Sequence, residues 1–139
     1  MDQQVILSLA RSWTRLEQRL DAALSTIKGI SFSEYQMLRV LADAPNSAAS
    51  RVALAEAVGR TPSGITRALR PLEKLGFVET QKSERDARLA LAVLTPEGRE
   101  LVDDASGVLD DVARDLQAGA PANPKAENLN AASLLLSIT

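Results

Sequence analysis

Apolar side chains at Ile6, Leu9, Trp13, Leu16, Leu20, Leu24 and Ile27 recur in steps of three and four, with Arg11, Arg15, Glu17, Arg19 and Asp21 between them. That spacing predicts one amphipathic helix over Val5–Ile27, closed by Lys28 and the left-handed cap Gly29. A stripe of about six turns cannot be covered by its own helix and needs other helices, including those of a second chain. "SFSE" at 31–34 reads as a capping box, with Ser31 and Glu34 as its two partners. Tyr35, Leu38 and Leu41 extend that second helix until "DAPNS", where Pro45 and Asn46 are turn formers. Ser50 caps a short helix over Arg51–Val58 with Leu54 and Val58 inward, and Gly59 breaks it.

Thr61 and Pro62 then stand as N-cap and first residue of a helix running to Leu75, with Gly76 as its stop. Two helices joined by a short turn containing glycine form a helix-turn-helix. After Gly76 the period changes to two. "FVETQ" and "RLALAVL" read as strands, with Leu89, Leu91 and Val93 alternating against Ala90, Ala92 and Leu94 around the polar tip "KSERDA". Thr95 and Pro96 start a long helix with Leu101, Ala105, Val108, Leu109, Val112 and Leu116 on its apolar face. "GAPANP" interrupts the chain at 119–124, and "NLNAASLLLSI" closes it as a short apolar helix. The predicted fold is mainly α with a small β-wing.

Composition narrows the chemistry. The 139 residues fit one domain, or one domain plus arms that need a partner, and few aromatics mean a core of Leu, Val, Ile and Ala. No cysteine and no histidine are present, which removes thiolate sites, the commonest general base and the commonest metal ligand. "STIK" at 25–28 matches a serine-nucleophile pattern, but it ends a helix and has no downstream partner motifs. No phosphate-binding glycine loop is present, so the expectation is no enzyme and no cofactor. Glu100, Asp103, Asp104, Asp110, Asp111 and Asp115 form an acidic strip on the long helix, read as a solvated face rather than a metal site. The N-terminus carries an acid and no basic leader region, and no run approaches membrane-spanning length. The expected location is the cytoplasm.

The net charge of −2 hides an asymmetry. Residues 51–99 hold nine basic and six acidic side chains, a local +3, while residues 100–139 hold two basic and seven acidic. In the helix after Thr61, the residues Ile65, Ala68, Leu69, Leu72 and Leu75 share one face. Ser63, Thr66, Arg67, Arg70 and Lys74 share the other. A major groove admits such a helix, and its base edges pair with Arg, Ser and Thr. Lys82, Arg85 and Arg88 add a basic hairpin tip, where Asp86 and Arg88, two apart on a strand, would share a face as an ion pair. A charged helix face alone is ordinary solvated surface. The ordered combination of helix-turn-helix, period switch and basic tip points to double-stranded DNA.

"VALAEAVGRTPSGITRALRPLEKLGFVE", followed by "ERDAR" and "LTPEGREL", resembles the winged helix-turn-helix core of the MarR family of bacterial transcriptional regulators, over about Phe32 to Leu101. The resemblance implies a homodimer in which residues 1–30 and 96–139 supply dimerisation helices around a DNA-binding core at 31–95. It implies a pseudo-palindromic operator, a recognition helix in the major groove that reads through Ser63, Thr66, Arg67 and Arg70, and Arg88 reaching the minor groove. Release by a small, often phenolic, molecule is a further family trait. Two positions depart from the pattern: Pro71 lies inside the recognition helix, where it should bend or shorten it, and Thr80 replaces a common basic residue. Both subtract phosphate contacts. In the family arrangement Trp13, Phe32, Tyr35 and Arg39 approach one another, which suggests an aromatic acid held with its carboxylate on Arg11, Arg15 or Arg39; Trp13 and Tyr35 as plain core is the competing reading. The competing function is a protein–protein interaction module whose basic face meets an acidic partner.

Overall fold

The computed structural model describes residues 2–82, 85–86 and 89–119. They form five helices and three short strands: α1 (Gln3–Leu24), α2 (Phe32–Asp43), β1 (Ala48–Ser50), α3 (Arg51–Val58), α4 (Pro62–Lys74), β2 (Val78–Lys82), β3 (Ala90–Leu94) and α5 (Pro96–Ala118). The chain divides into two compact units: Met1–Phe32 with the chain from Ser106 onward, and Ser33–Ala105. The closing apolar segment expected after 124 lies outside the described residues.

In the first unit, Asp2 caps α1 by accepting from the amide of Gln4. The helix ends at Leu24, three residues short of the expected Ile27, because local hydroxyls compete for its last carbonyls. Ser25 Oγ donates to the Ala22 carbonyl at 2.6 Å and Thr26 Oγ1 to that of Ala23 at 3.0 Å. Lys28 and Gly29 then both take left-handed backbone, with φ of 52° and 71°. Asp21 Oδ1 reaches over this turn and accepts from the Phe32 amide at 2.7 Å, supplying an acceptor to the start of α2. Leu20 and Leu24 are buried, but the stripe is uncovered toward the N-terminus, where Ile6 is 56% exposed and Val5 and Leu7 nearly as much.

Ser12 of α1 is buried, and its hydroxyl finds no partner among the described residues. An unpaired buried hydroxyl costs about 1–3 kcal/mol in desolvation, and alanine is the better helix former. Ser12→Ala is therefore expected to stabilise the protein by about 1 kcal/mol. A melting curve of the variant should shift up by a few degrees; a downward shift would show that the hydroxyl is satisfied in solution.

The second unit holds the helix-turn-helix and its sheet. The strands run in the order β1-β3-β2, all antiparallel, with Ala49 opposite Ala92 on one side of β3 and Thr80 opposite Ala92 on the other. β1 has no counterpart in the sequence reading. Ala48, Ala49 and Ser50 show neither alternation nor β-branched residues, and they become a strand because β3 presents an open edge. The preceding turn at Pro45–Ser47 carries Asn46 and Ser47 at φ of 56° and 54°. Arg99 of α5 holds it by donating to Ser47 Oγ and, at 3.4 Å, to the Ala42 carbonyl at the end of α2.

Only one face of β3 is buried: Ala92 and Leu94 point into the core, whereas Leu89, which precedes the strand, is exposed. Met37, Leu38 and Leu41 of α2, Leu54 and Ala55 of α3, Ile65, Leu69 and Leu72 of α4, and Val78 are buried with them. Leu75, expected on the inner face of α4, is instead 61% exposed, since the helix ends at Lys74 and Leu75 is only its cap. Thr95 ties the hairpin to α5: its Oγ1 donates to the Gly76 carbonyl at 2.6 Å and accepts from the Gly98 amide at 3.0 Å.

Candidate nucleic-acid interface

Three residues make the turn between α3 and α4. Gly59 adopts φ of 71°, a left-handed cap that side chains rarely tolerate, and its amide bonds the Ala55 carbonyl. The Arg60 amide bonds that same carbonyl at 2.9 Å, and the Arg60 guanidinium donates to Ser33 Oγ at the start of α2. Thr61 then caps α4, its Oγ1 accepting from the Gly64 amide at 3.1 Å, with Pro62 at the first helical position. Ser50 caps α3 in the same way through the Ala53 amide. These local bonds fix the angle at which α4 leaves α3.

With Ile65, Leu69 and Leu72 buried, helical periodicity turns Ser63, Thr66, Arg67, Arg70 and Lys74 outward within an arc of about 100°. Arg67, Arg70 and Lys74 are exposed, and none has an ion pair or hydrogen bond among the described residues. Like charges at these spacings repel by a few tenths of a kcal/mol per pair. A polyanion would turn that repulsion into attraction.

The hydroxyls divide into two sorts. Thr61 Oγ1 is spent on the helix cap, and Thr66 Oγ1 donates back to the Pro62 carbonyl at 3.1 Å. Ser63 Oγ lies 3.3 Å from Thr61 Oγ1 and remains exposed beside the helix start. Thr61 Oγ1 thus serves the helix start as an acceptor, and Thr66 is left with a methyl and an acceptor, its proton held by Pro62. Pro71 neither breaks nor visibly shortens the helix, which continues to Lys74. Only one turn remains after it, and the Leu75 amide bonds the Pro71 carbonyl at 3.0 Å.

Lys82 ends β2 in solvent, and Arg85 and Asp86 at the hairpin tip are exposed. Arg88, and with it the expected Asp86–Arg88 pair, lies outside the described residues. Thr80 is not an empty substitute for a basic residue: its Oγ1 donates to Glu73 Oε1 at 2.6 Å and accepts from Arg51 Nη2 at 3.3 Å. Nothing local in the sequence signals this contact, whose partners lie 7 and 29 residues away.

The candidate effector residues do not converge as one set. Trp13 and Phe32 meet edge to face, ring centres 6.0 Å apart. Arg11 and Arg15 instead line a shallow depression of about 330 Å³ with Leu7, Ala10 and Thr14. On α1 they are one turn apart, while Trp13 falls on the opposite side, so one copy of the helix cannot offer both to one ligand. Tyr35 is buried. Arg39 pairs with Asp43 at 3.1 Å, and that hydrogen bond and charge push its guanidinium above its ordinary value. Of the acidic strip on α5, Asp115 pairs with Arg19 at 3.7 Å and Asp111 with Arg114. Among the described residues no group of acids is placed to hold a metal ion, and no helix is long and apolar enough to cross a membrane.

A family model described as the MarR family matches residues 28–89. Comparison with curated protein sequences gives no significant match. Among solved structures, Sco3205, a MarR family transcriptional regulator from Streptomyces coelicolor in complex with DNA, is 30% identical, with 90% of this chain and 78% of that one covered at a TM-score of 0.78. Two more distant structures share the fold. The transcriptional regulator BldR from Sulfolobus solfataricus is 22% identical, covering 89% of this chain and 86% of that one at a TM-score of 0.77. The M. tuberculosis regulator MOSR in complex with DNA is 24% identical, covering 85% and 84% at 0.70. A mainly helical winged helix-turn-helix, a matching family model over its core and a 30% identical regulator spanning most of both chains together establish that this protein belongs to the MarR family of transcriptional regulators.

Proposed function

We propose that the protein is a sequence-specific double-stranded DNA-binding regulator, most simply a repressor, that acts as a homodimer on a pseudo-palindromic operator. The observation that carries this reading is the outward face of α4. Arg67, Arg70 and Lys74 form an unpaired cationic row beside Ser63, opposite the buried face of the same helix. A helix with that arrangement fits a major groove, and two copies would occupy successive grooves about 34–36 Å apart. Sco3205 was solved on DNA, which supports the same reading. Lys82 and Arg85, with Arg88, would contact the adjacent minor groove.

Dimerisation is supported by the uncovered apolar residues at the start of α1, where Val5, Ile6 and Leu7 would otherwise stay in water. In this reading residues 1–30 and 96–139 dimerise and residues 31–95 bind DNA, in the cytoplasm and without catalysis or cofactor. A small aromatic acid would bind near the Trp13–Phe32 pair. Saturable quenching of the single tryptophan by salicylate-like acids is the expected sign of such a site, and its absence removes the effector from the proposal.

The function itself is tested by titrating the protein on the intergenic fragment upstream of its own gene, and on scrambled DNA, at two salt concentrations. The expected result is saturable binding that prefers the genuine fragment and weakens with salt. Equal affinity for genuine, scrambled and other upstream DNA would instead favour an acidic protein partner for the basic face.

A further inference from the structure

We propose that Arg51, Glu73 and Thr80 form a clamp that sets the β2–β3 hairpin against α4, making Thr80 a positioning residue for the hairpin's DNA contact. The functional half of this inference rests on the DNA-binding reading above. Three elements meet at a single carboxylate oxygen. Glu73 Oε1, in the last turn of α4, accepts from Thr80 Oγ1 of β2 at 2.6 Å and lies 3.5 Å from Arg51 Nη2, at the start of α3. Arg51 Nη2 also donates to Thr80 Oγ1 at 3.3 Å, closing the triangle.

The surroundings make the clamp more than an ordinary surface pair. The side chains of Arg51 and Glu73 are only 22% and 30% exposed, so water screens them less than it does the exposed ion pairs elsewhere in the chain. Val78 is the one buried residue of β2, and the four that follow it all face solvent. Beyond Val78, apolar packing therefore gives β2 little hold on the helix, and the hydroxyl of Thr80 provides the hold. Glu73 would also place a negative charge next to Lys74 on a surface meant for phosphates; Arg51 neutralises it from the side. Since the hairpin and α4 would touch adjacent grooves of one duplex, their mutual angle decides whether both contacts form at once.

The two assignments of Glu73 predict opposite outcomes. If it were only a charge near DNA, Glu73→Met, which removes both the charge and the acceptor at similar size, would tighten binding by removing repulsion. As part of the clamp, its loss frees the hairpin. Thr80→Val is the cleaner variant because it deletes the hydroxyl at constant shape and charge, and Thr80→Ser restores the hydroxyl. Amide hydrogen exchange is measured on the free full-length protein, and hydroxyl-radical and dimethyl sulfate footprints on the bound upstream fragment. In Thr80→Val, exchange at Gln81 and Leu91, which pair with each other across the ladder, is expected to rise about tenfold, the equivalent of one hydrogen bond to a charged group, with α2 and α4 unchanged. Minor-groove protection should weaken while major-groove guanine protection persists. Glu73→Met should follow Thr80→Val, and Thr80→Ser the wild type. Hairpin exchange unchanged in both variants, or raised equally along the whole chain, overturns the clamp. A wild type that protects no DNA while Thr80→Val still loosens the hairpin defeats the DNA reading and leaves the clamp standing.

Discussion

Gly98→Ala is expected to destabilise the protein by roughly 3 kcal/mol, near the upper end for overpacking a filled site. A Cβ at this position would lie 2.2 Å from the Phe77 carbonyl oxygen and 2.6 Å from Leu94 Cδ1. Neither can step aside cheaply. The Phe77 carbonyl is backbone and already accepts from the Thr95 amide at 3.1 Å, while Leu94 is a buried member of β3. Relief would require moving α5 away from the hairpin base, which breaks the bonds from Thr95 to Gly76 and Gly98. Gly107, on the same helix, is the control: nothing lies within 4 Å of its added Cβ, so Gly107→Ala should gain up to about 1 kcal/mol from helix propensity. Denaturant unfolding of both variants decides the matter. If Gly98→Ala unfolds at the wild-type midpoint, α5 does not approach Phe77 as closely as described.

That glycine shows what kind of information the sequence carried. L-T-x-x-G was visible as a pattern, and Thr95 was legible as a cap because capping is a bond to an amide three residues on. The same holds for Ser50 and Thr61, and for Gly59, whose turn lies within the helix-turn-helix itself. The reason for glycine at 98 was not legible, because the oxygen it must avoid sits 21 residues earlier and meets it only in the folded chain. β1 was missed on the same ground: Ala48–Ser50 has no strand signal of its own and borrows its pairing from β3.

The site divides likewise. The row of cations on α4 followed from helical period and the burial of Ile65, Leu69 and Leu72, so it could be read directly. What could not be read was how the hydroxyls are engaged. Thr66 appeared as a donor to bases, yet its proton is held by the Pro62 carbonyl. Thr80 appeared as a lost phosphate contact, and it proves to bridge two helices to the hairpin. Pro71 was expected to bend or shorten the helix, yet α4 continues past it to Lys74; what it forgoes is the single bond its own amide would have given the Arg67 carbonyl.

Arg67→Ala and Lys74→Ala are expected to weaken DNA binding in different ways. Arg67 sits nearer the start of α4, the part of a recognition helix that meets base edges, and its planar guanidinium can bond a guanine through two donors. Its loss should cost about 1–3 kcal/mol on the operator, roughly a 5- to 150-fold rise in Kd, and much less on scrambled DNA. Arg67→Lys should recover charge but not preference, since an ammonium cannot make the two-pronged contact. Lys74 lies two turns further on, where in the DNA-binding reading the helix would be leaving the groove and a point charge would suit a phosphate. Its loss should weaken all sequences alike and lower the slope of log K against log salt by about 0.9, one released counterion. Titrations of the four proteins on operator and scrambled DNA across a salt series separate these outcomes. If Arg67→Ala flattens the salt slope and leaves the preference for the operator intact, Arg67 is a phosphate contact and base reading has to pass to Ser63 and Thr66. Thr66 could then contribute only its methyl group and its acceptor, so the operator would be expected to carry a thymine methyl or an amino group of adenine or cytosine at that position.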